Sequence, residues 1–119
     1  MGWLLIGLVV VVVTAVWYGS RLVSQGAAAL LYPARNLPAQ TPADFNLTAE
    51  TVRIPVDGLE LVAWYLPPDA AVDGATLIYA HGFAGNRGVM LETAVALHEL
   101  GYGALLLDLR NHGESGGTV

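Results

Sequence analysis

Apolar and polar positions divide the chain into three stretches. From Gly2 to Ser20 no side chain is charged, and Trp3 to Tyr18 is apolar almost throughout. A run of ~18–20 such residues, at ~1.5 Å rise each, matches a bilayer core of ~30 Å. Five consecutive valines, Val9 to Val13, suit a helix in lipid, where the backbone must satisfy its own hydrogen bonds. Trp3 and Trp17-Tyr18 stand where interfacial aromatics belong. The pattern predicts a transmembrane anchor over 1–22, with residues 3–20 in the membrane. A cleaved secretory signal is the competing reading, and Gly26-Ala27-Ala28-Ala29 offers small residues for cleavage. Against it, the apolar run exceeds the usual ~7–15 residues, and no basic region precedes it beyond the amino terminus. Arg21 and Arg35 follow the span. By the positive-inside rule these two charges favour a cytoplasmic remainder without fixing the side.

Residues 23–50 read as a connector, in which Pro38 and Pro42 exclude a continuing helix. From residue 51 the periods change. Thr51–Val56 reads as a strand, and Pro55 points to an edge position. Asp57-Gly58 signals a type I′ turn, and Leu59–Leu66 is the return strand, closed by Pro67-Pro68. Ala75–Ala80 is a nearly continuous apolar strand, as expected where both sheet faces are covered. A helix is predicted from about Arg87-Gly88 with Asn86 as N-cap, burying positions 90, 91, 94, 97 and 100 and ending at Gly101. Tyr102–Leu109 is the last strand. The class is therefore α/β, a β-hairpin followed by a βαβ unit behind one N-terminal transmembrane helix.

Composition narrows the function. The net charge is −5 with no Lys and five scattered Arg (21, 35, 53, 87, 110), so no basic patch for nucleic acid is present. With no Cys there is no disulfide and no thiolate metal site. The three His residues lack ligand spacing. Neither a metal nor a cofactor is expected.

The chemistry lies in two Gly-rich loops at the carboxyl ends of the apolar strands, where open α/β sheets bind ligands. They are His81-Gly82-Phe83-Ala84-Gly85-Asn86 and Asp108-Leu109-Arg110-Asn111-His112-Gly113-Glu114-Ser115-Gly116-Gly117. In this order and spacing they resemble the two early loop motifs of the α/β-hydrolase superfamily, with most likeness to serine-aminopeptidase-like and BEM46-like members. The resemblance covers residues 51–119. It implies that the backbone N–H of Phe83 is one donor of an oxyanion hole, with Gly82 letting the chain turn toward a ligand. His81 would orient that loop together with Gly85 and Asn86, since the family's catalytic His comes far later. Asp108 would hydrogen-bond the 110–115 loop, with Arg110, His112, Gly113 and Ser115 as its supports.

Gly113-Glu114-Ser115-Gly116-Gly117 also satisfies G-x-S-x-G, the nucleophile-elbow pattern. An elbow needs a strand leading into the Ser and a helix leaving it, and neither is predicted here. The family triad of Ser, Asp or Glu, and His would then lie after Val119. The resemblance also implies a sheet order of hairpin, fourth strand, third strand, with 76–80 left as an apolar edge. On this reading the chain is the N-terminal part of a membrane-anchored serine hydrolase acting on an ester, thioester or amide, and is inactive alone. Two rivals remain. Gly82, Gly85 and Gly88 with Asp108 imitate a dinucleotide-binding oxidoreductase, although the spacing is not G-x-G-x-x-G. A non-enzymatic, membrane-tethered interaction module is the other.

Overall fold

The computed structural model describes residues 2–32, 34–70 and 74–117. The predicted segments at positions 1, 33, 71–73, 118 and 119 lie outside the described residues. The chain divides into two units, Met1–Tyr32 and Pro33–Val119.

The first unit is one helix, α1 (Gly2–Leu31). It is long and apolar enough to cross a membrane. Its few hydroxyls fold back onto its own carbonyls: Thr14 Oγ1 donates to Val10 O at 2.8 Å, Ser20 Oγ to Trp17 O at 2.8 Å and Ser24 Oγ to Ser20 O at 2.7 Å. These serine and threonine hydroxyls are thus satisfied without water. Arg21, the first charge, lies over the Trp17 ring at 4.8 Å. The helix outlasts the predicted span and takes in residues 23–31. That extension is rich in Ala and Leu, good helix formers, and the sequence offers no proline before position 33.

In the second unit, a 3₁₀ turn (Pro42–Phe45) interrupts the expected connector. Asp44 Oδ2 accepts from Thr41 N at 2.7 Å and Thr41 Oγ1 at 2.9 Å. The bond from the Thr41 backbone, then that from its hydroxyl, hold the Asp44 carboxyl below its ordinary pKa. Phe45, Leu47 and Ala49 then pack against the core, so this half of the segment belongs to the globular unit.

The sheet has four strands: β1 (Glu50–Val56), β2 (Leu59–Leu66), β3 (Thr76–Ala80) and β4 (Gly103–Leu107). Their order is β1-β2-β4-β3, with only the β3/β4 pair parallel. The hairpin closes at Val56↔Leu59. Asp57 and Gly58 have φ of 47° and 76°, as the I′ turn requires. Pro55 lies on the outer strand, where its missing N–H interrupts no central ladder.

Helix α2 (Leu91–His98) crosses from β3 to β4 and starts later than predicted. Asn86 does not cap it. Its Oδ1 accepts from Gly88 N at 2.9 Å, and turns at Val89 N→Asn86 O and Leu91 N→Gly88 O, both 3.1 Å, occupy the interval. At the other end Tyr102 N→Leu97 O (3.2 Å) and Gly101 N→His98 O (2.9 Å) form a Schellman cap, with Gly101 at φ 94°. Leu91 and Ala94 are buried as predicted, but Leu100 is 68% exposed because it lies in the cap. Val95 packs against the core as well.

The core joins Trp64, Leu66, Ala104 and Leu106 of the sheet to Leu91 and Ala94 of α2. Only one sheet face is covered at β3: Leu77 and Tyr79 are half-buried, while Ile78 is 68% exposed. Continuous apolarity led to an expectation of two covered faces. Among the described residues, α2 is the one α-helix of this unit.

Two outcomes are expected in urea unfolding of the detergent-solubilised chain. Gly58→Ala lowers stability by about 1–2 kcal/mol, since a Cβ there meets nothing and only the left-handed φ is penalised. Tyr79→Phe leaves stability unchanged or raises it by up to about 1 kcal/mol. The Tyr79 hydroxyl is buried with no partner among the described residues, and burial pushes its pKa above the ordinary value.

Candidate active-site loops

Because β3 and β4 are parallel neighbours, the loops that follow them leave the same edge of the sheet. His81 opens the first loop and is buried. Its Nδ1 is 2.7 Å from Gly82 O, and its Nε2 is 3.1 Å from Leu109 N. A carbonyl only accepts and an amide N–H only donates. The proton is therefore on Nδ1, and the Nε2 lone pair receives Leu109 N–H. Both ring nitrogens are engaged in tying the two loops together.

Between His81 and Arg87 the chain makes a tight turn, with Gly85 N donating to Gly82 O at 3.1 Å. Gly82 was expected to supply the unusual backbone. Instead the left-handed residue is Ala84, at φ 54°, and a Cβ on Gly82 would meet nothing. Gly85 is the tighter position, since a Cβ there would lie 3.0 Å from His81 Nδ1 and 3.1 Å from Gly82 O. The N–H of Phe83 donates to no group among the described residues. Its side chain is 66% exposed. Asn86 is buried and donates through Nδ2 to Asn36 O at 3.1 Å.

The second loop is built around Asp108, which is 0% exposed. Its Oδ1 accepts from Arg87 N at 2.6 Å. Its Oδ2 accepts from Arg87 Nη1 at 2.5 Å and Glu114 N at 2.9 Å. A Cβ on Gly113 (φ 48°) would sit 2.1 Å from Oδ2, so only glycine fits. Arg87 is 6% exposed, pairs also with Glu114 Oε2, and stacks over the Trp64 ring at 4.5 Å. Asp108 thus has no exposed oxygen for a ribose hydroxyl.

Ser115 is fully buried. Its Oγ donates to Asp108 O at 2.6 Å and accepts from Val62 N at 2.8 Å. Its hydroxyl braces loop against sheet and, among the described residues, bonds to no imidazole. His112 Nδ1 donates to Arg110 O at 2.9 Å, while its Nε2 is buried without a partner. The His112 ring lies 4.9 Å from that of His81. The Arg110 guanidinium makes no bond among the described residues, so it is the backbone of Arg110 that serves the loop. Arg35 grips the same loop from outside, donating to Ser115 O (3.0 Å), Asn111 Oδ1 (3.1 Å) and Gly117 O (2.5 Å).

Among the described residues no hydroxyl is bonded to a His nitrogen, and no three metal-ligating side chains cluster. What the loops present is a backbone donor at an exposed turn, fixed from beneath by buried charges.

No protein-family model matches the chain. An uncharacterised protein of Mycobacterium tuberculosis is 33% identical over 106 residues, which is 89% of this chain and 36% of that protein. The uncharacterised protein YfhR of Salmonella typhi is 34% identical over 95 residues, 76% of this chain and 31% of its own length. The unit superposes on an esterase of Pyrococcus furiosus with a TM-score of 0.65 and 29% identity, covering 75% of this chain and 34% of the esterase. This is a partial α/β-hydrolase fold. A Vigna radiata epoxide hydrolase variant shares the α/β-hydrolase fold alone, with a TM-score of 0.50 and 22% identity over 60% of this chain. The chain spans about a third of the curated relatives it matches.

Sequence reasoning placed the loops of this α/β-hydrolase sheet but missed Arg87, Glu114 and Arg35 as their braces. A signal was available. Arg87 is the one cation in its loop, and the facing loop carries two acids, Asp108 and Glu114.

Asp108→Asn is expected to destabilise the unit by about 3–5 kcal/mol, because it takes from the buried Arg87 the fully buried one of its two carboxylates and leaves only the half-exposed Glu114. The exposed Arg53–Glu60 pair, at 3.4 Å, is the control. Glu60→Gln should change stability by less than about 1 kcal/mol in the same urea titration.

Proposed function

We propose that this chain is the N-terminal portion of a membrane-anchored serine hydrolase, and that it supplies one donor of the oxyanion hole. The observation that carries this reading is the Phe83 N–H, unpartnered among the described residues, on an exposed residue of a loop whose two ends are fixed to the end of β4. Likeness to an esterase at this same part of the fold supports it.

The chemistry follows from the geometry. When a nucleophile adds to an acyl carbon, negative charge develops on the carbonyl oxygen. A fixed N–H stabilises that charge without reorganising, and one such donor is worth about 2.7–4 kcal/mol in the transition state. The nucleophile, acid and base belong, on this reading, to polypeptide after Val119. The described residues hold no hydroxyl–imidazole pair, which supports a chain inert by itself. The substrate is an ester, thioester or amide. Helix α1, through residues 3–20, anchors the enzyme in a membrane as a single pass.

The test uses the complete gene product. A fluorophosphonate probe is expected to label it at a serine after position 119. Ser115→Ala should keep full labelling while losing about 1–3 kcal/mol of stability, since Val62 N–H is left without its acceptor. Loss of labelling in a Ser115→Ala protein that melts cooperatively would make Ser115 the nucleophile. Absence of labelling in the unaltered protein would refute the serine-hydrolase reading.

A further inference from the structure

The turn that carries the Phe83 N–H is anchored at its two ends by consecutive residues that follow β4. At one end His81 Nε2 receives Leu109 N–H at 3.1 Å. At the other, Arg87 N–H donates to Asp108 Oδ1 at 2.6 Å. Between them the turn has a single internal backbone bond among the described residues, Gly85 N→Gly82 O. Beyond its ends, the turn is tied by Asn86 Nδ2, which donates to Asn36 O at 3.1 Å beside the Arg87 end, so its position relative to the sheet is set at and next to its ends.

The Arg87 end is held with unusual redundancy. The same residue grips Asp108 twice, through its backbone N–H and through Nη1. Nη2 reaches Glu114, and the guanidinium plane lies 4.5 Å from the Trp64 ring centroid. Carboxylates at Nη1 and Nη2 and an aromatic ring against its plane hold the cation at three places, while Nε is buried without a partner among the described residues. A buried ion pair gains little net stability over apolar packing, so its geometric fixity is the better account of its use here. Lysine could not reproduce it, because an ammonium is a point charge without a fork or a plane.

We propose that Arg87 is a positioning residue for the Phe83 oxyanion donor: it locks the carboxyl-terminal end of the turn to β4, so that the Phe83 N–H is aimed before substrate arrives. This rests on the hydrolase reading of the same site. A shift of about 1 Å in such a group can cost about 100-fold in rate.

The experiment compares Arg87→Met and Arg87→Lys with the unaltered complete gene product in detergent. Hydrolysis of p-nitrophenyl butyrate gives kcat and KM separately, and hydrogen–deuterium exchange follows the 82–88 amides. Arg87→Met should lower kcat by about 10–100-fold with KM unchanged, and exchange over 82–88 should accelerate. Arg87→Lys, which keeps a cation for Asp108, should fold and fall between the two on both readouts. If Arg87→Met does not fold, the same intermediate behaviour of Arg87→Lys carries the proposal. Unchanged exchange over 82–88 in a folded variant, or a loss confined to KM, overturns it. Accelerated exchange in a protein that never hydrolyses the ester leaves Arg87 as the lock of the turn and removes the hydrolase reading instead.

Discussion

A carboxylate shut away from water has to be surrounded by donors, and most of the loop architecture follows from how Asp108 meets that demand. It recruits two backbone N–H groups, from Arg87 and Glu114, and one guanidinium. Each donor comes from a loop that would otherwise have few reasons to adopt one shape. Gly113 is excluded from carrying a side chain because the carboxylate already occupies that space. The backbone carbonyl of Asp108 does similar work, taking the Ser115 hydroxyl, which in turn takes Val62 N–H from β2. One residue at the end of β4 thus joins both loops to the centre of the sheet.

The elements governed by short-range rules were legible in the sequence. Asp57-Gly58 admits few turns other than I′, and Gly101 ends a helix because little else tolerates φ near 94°. The strand order followed from the resemblance to α/β-hydrolases and is found in the structure. What the sequence hid were interactions between residues far apart. Asn86 looks like a helix cap, yet it supports a preceding turn because Arg87 N–H is drawn sideways to Asp108 and the helix cannot start there. Ser115 sits in an elbow pattern, yet its hydroxyl is a structural pin. Arg87 reads as one more surface charge until Asp108, 21 positions later, is brought beside it.

The two units distribute their apolar side chains differently. Helix α1 turns its serine and threonine hydroxyls onto its own carbonyls and exposes apolar side chains along its length, and it is long and apolar enough to cross a membrane. The second unit does the reverse, gathering Trp64, Leu66 and Leu106 beneath α2 and leaving charges such as Arg53 and Glu60 at its rim. β3 is the exception, with Ile78 outward on a strand that has a free edge. An apolar edge of this kind is a pairing surface in waiting, and in the relatives the matched part is about a third of the protein.

Arg35 and Asn36 give the stretch ahead of the sheet a meaning that its composition conceals. Three bonds from Arg35 and one to Asn36 O fasten it across both loops, well upstream of the first strand. The natural boundary of the folded body is therefore not where β1 begins but before position 35. Anyone trimming away the oily helix should cut ahead of that arginine, because a start at residue 45 or 50 would discard part of the scaffolding of the two loops.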